Sequence, residues 1–152
     1  DHIVGGDGFN AIVGDAGVIT GTGRGGNDQI FGGGGHSNFL YGDSDNGMSG
    51  YARGGNDQLW GDAKGAVAGG ADTFLFTGAI GRDVVFDFRP SEGDRLQLSG
   101  YGLTDVSQLD TTVAGGSTVI DIGASIGDAA HMGTIRLEGF HTPLTNADFV
   151  FT

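Results

Sequence analysis

Three turns in this chain place an aspartate behind glycine and one residue short of an apolar run. They are Arg24-Gly25-Gly26-Asn27-Asp28-Gln29-Ile30, Arg53-Gly54-Gly55-Asn56-Asp57-Gln58-Leu59 and Gly69-Gly70-Ala71-Asp72-Thr73-Phe74. Aspartate is the short carboxylate that sits in turns, and hard cations take oxygen ligands from such turns. Glycines at Gly23, Gly25, Gly26, Gly54, Gly55, Gly69 and Gly70, with Arg24 and Arg53 between them, leave backbone carbonyls free to approach the same ion. Asp28, Asp57 and Asp72 are therefore the first candidate metal ligands. Three Gly-Asp steps, at Asp15, Asp43 and Asp62, are further candidates.

An aspartate in such a turn can also do no more than cap its own backbone. Asp83, Asp87 and Asp94 are read in that way, as turn and strand-end residues. Asp1 matches the phase of the repeat but is a terminus. Other chemistries find no footing. His2, His36, His131 and His141 share no metal-ligand spacing, and there is no Cys. No Gly-x-Ser-x-Gly elbow is present, and nothing relates Glu92 to Glu138 as acid and base. Gly32–Gly35 lacks the Lys-Ser/Thr of a phosphate loop. The chain is expected not to be an enzyme by itself. Trp60, Tyr41, Tyr51 and Phe9 could line a sugar-binding face, although packing is the expected role of Trp60.

The elements that must position these residues follow from a repeat. Counting in nines from Asp28 reaches Asp1, Asn10, Ile19, Ser37 and Asn46. Two places after most of these come Ile3, Ile12, Ile30, Phe39 and Met48, and the register resumes late at Asp57 and Leu59. A glycine-rich turn followed by a short strand, with one side chain inward, explains that period. Stacked turns would bring carboxylates and carbonyls of neighbouring coils together. After Asp72 the texture changes to short apolar runs between turn signals: 73–77, 84–88, 95–99, 118–122, 133–138 and 148–151. Turns are expected at 90–94 and 114–117, and no helical period persists. Of the 33 glycines, 22 fall in the first 70 positions, so two regions are expected: a repeat region over 1–76 and an all-β cap over 77–152.

These residues resemble the RTX calcium-binding repeats, whose nonapeptide is Gly-Gly-x-Gly-x-Asp-x-U-x. The best matches are Gly23–Phe31, Gly5–Val13 and Ala52–Trp60. The chain departs from the pattern at Arg24, Asn10, Ala52 and Arg53, and at Ile19 and Ser37 no carboxylate stands where the pattern has one. The segments 69–76, 83–88 and 93–99 are similar to the end of serralysin-type repeat regions. The tail Asp148-Phe149-Val150-Phe151 resembles that of type I secretion substrates. The resemblance implies an all-β fold with a parallel β-roll, Ca2+ as the cofactor, and a cap carrying a secretion signal. It also implies export through a type I apparatus without an N-terminal signal peptide, and folding outside the cell when calcium is met.

Composition agrees with a cationic partner. The net charge is -12, and 17 of the 19 acidic residues are Asp, with Lys64 the only lysine. Nucleic acid and anionic membranes require a basic face, so neither is an expected partner. No stretch is apolar enough to span a bilayer. The chain begins at Asp1 without Met and is expected to be part of a longer secreted protein, with the rest of the parent upstream. Two other roles fit the same residues: a carbohydrate-binding or substrate-tuning module of a polysaccharide-modifying enzyme, and a segment of a calcium-dependent adhesin.

Overall fold

The computed structural model describes residues 1–128 and 133–152 of the chain. Twelve strands are present among them: β1 (His2–Val4), β2 (Asn10–Val13), β3 (Gln29–Phe31), β4 (Asn38–Tyr41), β5 (Gln58–Trp60), β6 (Thr73–Thr77), β7 (Arg82–Val85), β8 (Arg95–Ser99), β9 (Asp110–Ala114), β10 (Ser117–Asp121), β11 (Thr134–Leu137) and β12 (Phe149–Phe151). One short helix, α1 (Ile122–Ile126), interrupts them. The fold is all-β, with mixed parallel and antiparallel pairing.

Successive strands from β1 to β8 alternate between two sheets. The first sheet has the order β1-β3-β5-β7-β11-β10-β9, and the second β12-β8-β6-β4-β2. Pairing is parallel through β7–β11 in the first sheet and throughout the second, and antiparallel across β9, β10 and β11. Each sheet presents one column of apolar side chains to the other. Ile3, Ile30, Leu59, Val85 and Leu137 are in register on the first. Ile12, Leu40, Phe74, Leu96 and Phe149 are in register on the second. Ile30, Leu40, Leu59, Phe74, Val85, Leu96 and Leu137 are fully buried. Burying one such side chain is worth about 1.5–3 kcal/mol, so these facing columns hold the sheets together.

The nine-residue period slips in one coil. Phe39 was the expected inward residue, but Leu40 is the buried one, and Phe39 turns outward to meet Phe9 edge-on at 5.7 Å. The turn 32–37 holds one residue more than a strict nonapeptide allows, so Asn38 rather than Ser37 takes the position that pairs with Asn10. Met48 also lies off the core. It is half-buried in the loop 42–57, where it bridges Ile19 of the loop 14–28.

Of the later strands, 73–77 and 95–99 have the expected bounds, while β7, β10, β11 and β12 lie within a few residues of theirs. The turn 114–117 joins β9 and β10 with positive φ at both Gly115 and Gly116, as a tight two-residue hairpin requires. The turn at 90–94 contains a 3-10 turn, Pro90–Glu92, closed by Gly93 in the left-handed region. Helix α1 was not expected. It is a single turn, capped at its start by the Asp121 carboxylate on the Ala124 N–H and at its end by Gly127, too short to show a period.

Candidate metal centre

Because strands alternate between sheets, their connections fall on two opposite edges. Connections 14–28, 42–57 and 78–81 run from the second sheet to the first. Connections 5–9, 32–37, 61–72 and 86–94 run back. Each edge carries one side-chain ladder, one rung per coil. On the first edge the ladder is Asp28 and Asp57, each just before a strand of the first sheet, and Asp83, at the start of β7. The Asp28 N–H donates to Asp57 Oδ1 at 2.9 Å, and the Asp57 N–H to Asp83 Oδ1 at 2.9 Å. On the second edge the ladder is Asn10, Asn38, Asp72 and Asp94. The corresponding bonds are Asn10 N–H to Asn38 Oδ1 at 3.1 Å, Asn38 N–H to Asp72 Oδ1 at 2.7 Å and Asp72 N–H to Asp94 Oδ1 at 2.9 Å. One side-chain oxygen per rung thus caps the backbone of the coil before it.

On the aspartate edge the Gly-Asp steps fold onto this ladder. Asp15 Oδ1 accepts from the Gly26 N–H at 2.7 Å, and Asp43 Oδ1 from the Gly55 N–H at 2.6 Å. Asp43, Asp57 and Asp83 are all buried, and each offers one oxygen within 4.8 Å of the other two. Asp57 Oδ2 and Asp28 Oδ2 are buried without a hydrogen-bond partner. Asp28 Oδ1 faces the amino group of Asp1. The glycines make room for these groups. A Cβ on Gly54 would fall on the Asp43 carboxylate, one on Gly42 on Asp57 Oδ2, and one on Gly14 on Asp28 Oδ2. A Cβ on Gly25 would meet both the Asp15 and the Asp43 carboxylates.

The electrostatic consequence is large. Burial, reinforced by the Asp57 charge, pushes the Asp43 carboxyl up to about 8. Burial raises Asp57 to about 7, with Asp28 and Asp15 adding to the shift and the Asp28 N–H opposing it. Burial, then Asp57 and Asp43, hold Asp83 well above the usual carboxylate range. Without a counter-charge these groups resist ionisation together; a cation among them would remove both the repulsion and the unpartnered oxygens. The donor set is all oxygen, which suits a hard cation rather than a thiophilic one.

The expected ligands divide between the edges. Asp15, Asp28, Asp43 and Asp57 come together on the aspartate edge, with Gly23, Arg24, Gly25, Gly26, Arg53, Gly54 and Gly55 in the loops beside them. There the Arg53 carbonyl accepts from the Gly25 N–H at 2.8 Å, and the Gly23 carbonyl from the Arg53 N–H at 3.1 Å. Asp62 and Asp72, with Gly69 and Gly70, lie on the opposite edge. There Asp62 Oδ2 pairs with Arg89 at 2.9 Å, and Asp62 Oδ1 is unpartnered. Asp83, expected as a strand-end residue, lies at the start of β7, where it caps the Asp57 N–H, and it also comes within reach of Asp43 and Asp57. Asp94 and Asp87 likewise enter the second edge, where Asp87 accepts from the Gly61 and Asp62 N–H groups. A signal for Asp83 and Asp94 was present: Val85 and Leu96, two places on, are both fully buried.

Among the described residues no His joins a group able to hold a metal; His131 lies outside them. Trp60 stacks between Phe31, at 4.4 Å between ring centroids, and Phe86, at 4.2 Å, so both its faces are covered. No described helix is long and apolar enough to cross a membrane. No protein-family model matches the chain, and no curated protein matches it.

Proposed function

We propose that this chain is a calcium-binding module of the RTX type, a parallel β-roll whose aspartate edge is closed by Ca2+, carried by a larger secreted protein. The observation that carries the reading is the convergence of Asp43, Asp57 and Asp83, all buried, with Asp57 Oδ2 left without a partner. Like charges at that separation inside a protein oppose folding unless a cation joins them. The ligands are turn carboxylates with carbonyls beside them, a flexible oxygen set that suits Ca2+ better than the tight octahedron of Mg2+. Binding free energy is then folding free energy, and the module is a folding and binding element rather than a catalyst.

Titration calorimetry with Ca2+ tests this, with Mg2+ as the control. The expected result is saturable Ca2+ binding at roughly 10⁻⁴–10⁻³ M, the range of extracellular modules, and much weaker Mg2+ binding. Absence of Ca2+ binding at millimolar concentration would contradict the proposal. The resemblance of 148–151 to type I secretion tails extends the proposal to export. Secretion of the parent with and without 148–152 tests that part, and equal export would sink it. A polysaccharide partner stays the second reading, but the covered faces of Trp60 leave that ring no part in sugar stacking.

A further inference from the structure

The two ladders occupy equivalent positions, yet they are chemically different. On the aspartate edge every rung is a carboxylate, and Asp28 Oδ2 and Asp57 Oδ2 are left over, whereas the buried oxygen left over on the opposite edge, Asp62 Oδ1, belongs to a carboxylate already paired with Arg89. On the opposite edge the first two rungs are asparagine. Asn10 Nδ2 lies 3.0 Å from the Gly6 carbonyl, 2.9 Å from that of Gly8, 2.8 Å from that of Gly32 and 3.0 Å from Asn38 Oδ1. Asn38 Nδ2 repeats this one coil on, at 2.9 Å from the His36 carbonyl, 3.0 Å from that of Gly61 and 3.0 Å from Asp72 Oδ1. Each nitrogen is ringed by oxygens drawn from two successive coils, which is the environment a hard cation takes. The surroundings also settle the amide orientation, since the reverse would set the side-chain oxygen against three or four others.

Further along the same edge the donor is Arg89. Its Nη1 reaches Asp62 Oδ2 at 2.9 Å and Glu92 Oε2 at 3.4 Å, and its Nη2 reaches the Ala66 carbonyl at 2.9 Å. Asp94 is consumed by backbone donors: Oδ1 accepts from the Asp72 N–H and Oδ2 from the Arg89 N–H at 2.8 Å. Among the described residues, no three carboxylates converge on this edge.

We propose that the protein takes its cations on the aspartate edge alone, and that on the opposite edge the Asn10 and Asn38 amide nitrogens and the Arg89 guanidinium stand in the oxygen cages in place of ions. One edge is then set by calcium concentration, while the other is closed by the chain's own donors at every concentration. This rests on the calcium reading above, and it adds which half of the stack responds to the ion. It makes a constructive prediction: restoring a carboxylate at Asn38 removes the resident donor and opens the cage to a cation.

Native mass spectrometry in calcium counts the ions bound to the 152-residue chain and to three variants. Asp57→Asn, on the aspartate edge, should lose at least one ion. Asp72→Asn, on the opposite edge, keeps an oxygen for the Asn38 donors and should hold the parent's count. Asn38→Asp should bind one ion more than the parent and should melt earlier than the parent in chelator, with the loss recovered by calcium. Asn10→Asp, at the less buried first rung, provides the same test if Asn38→Asp does not fold. A lower count in Asp72→Asn, or an unchanged count in a folded Asn38→Asp or Asn10→Asp, overturns the inference while the calcium reading stands. A parent that binds no ion overturns both.

Discussion

Replacing Asp57 by Asn should change stability in opposite directions with and without calcium. The substitution keeps an oxygen for the Asp28 N–H, which now donates to Asp57 Oδ1 at 2.9 Å, so the capping role survives. What it removes is charge. Asp43 and Asp83 each offer an oxygen within 4.8 Å of Asp57. At an effective dielectric near 20, each ionised pair at that distance costs about 3 kcal/mol. Partial protonation caps this cost, and a net gain of about 1–3 kcal/mol is expected for Asp57→Asn in chelator at pH 8. In calcium the same change deletes a charged ligand, so the calcium midpoint should rise about tenfold, a loss of about 1.4 kcal/mol. Urea unfolding followed by Trp60 fluorescence, once in chelator and once in millimolar calcium, reads both signs. No change in either buffer would mean that Asp57 is a backbone cap only, and equal destabilisation in both would mean that its charge takes no part in ion binding; either result would refute the reasoning.

In chelator, stability should fall as pH rises. The folded carboxyls of Asp43 and Asp57 sit at about 8 and about 7 against a usual 3.8, so the folded state binds more protons across that window and is favoured toward its acid side. Urea midpoints at pH 5.5 and pH 8 check this, and with calcium present the binding affinity should climb over the same range. Gly54→Ala should cost about 1–3 kcal/mol by forcing a methyl group onto the Asp43 carboxylate, and should raise the calcium midpoint in a binding titration. Asp105→Ala should lower the melting temperature slightly without moving the calcium midpoint. Its carboxylate caps the 3-10 turn Val106–Gln108 and accepts from Asn146 Nδ2 at 2.7 Å, far from either ladder in sequence.

Strands 73–77 and 95–99 were legible because their apolar residues coincide with the buried positions, as a continuous run in the first and in alternation in the second. Period counting failed where turn length varied. The glycines at 33–35 absorb an extra residue at little steric cost, and the inward position moves from Phe39 to Leu40. Asp83 lacks the Gly-Gly-Asn prefix of Asp28 and Asp57, so only its spacing to Val85 marked it. The division of the candidate ligands was hidden for a topological reason. Each strand carries the chain to the opposite edge, so Asp57 and Asp62, five residues apart, end on different edges, while Asp57 and Asp83 share one. Strand β9 was missed because Asp110–Ala114 is exposed along its whole length and shows no apolar alternation. Its place comes from pairing with β10 through the hairpin at Gly115 and Gly116.

The most direct test is far-UV circular dichroism of the 152-residue chain in chelator, followed by calcium titration. With the aspartate edge uncompensated and the net charge at -12, the chain should lose part of its β signal and much of its thermal stability in chelator. Both should return on calcium addition, with a midpoint in the roughly 10⁻⁴–10⁻³ M range and no matching response to magnesium. An undiminished β spectrum with an unchanged cooperative melt in excess chelator, unaffected by added calcium, would contradict the account.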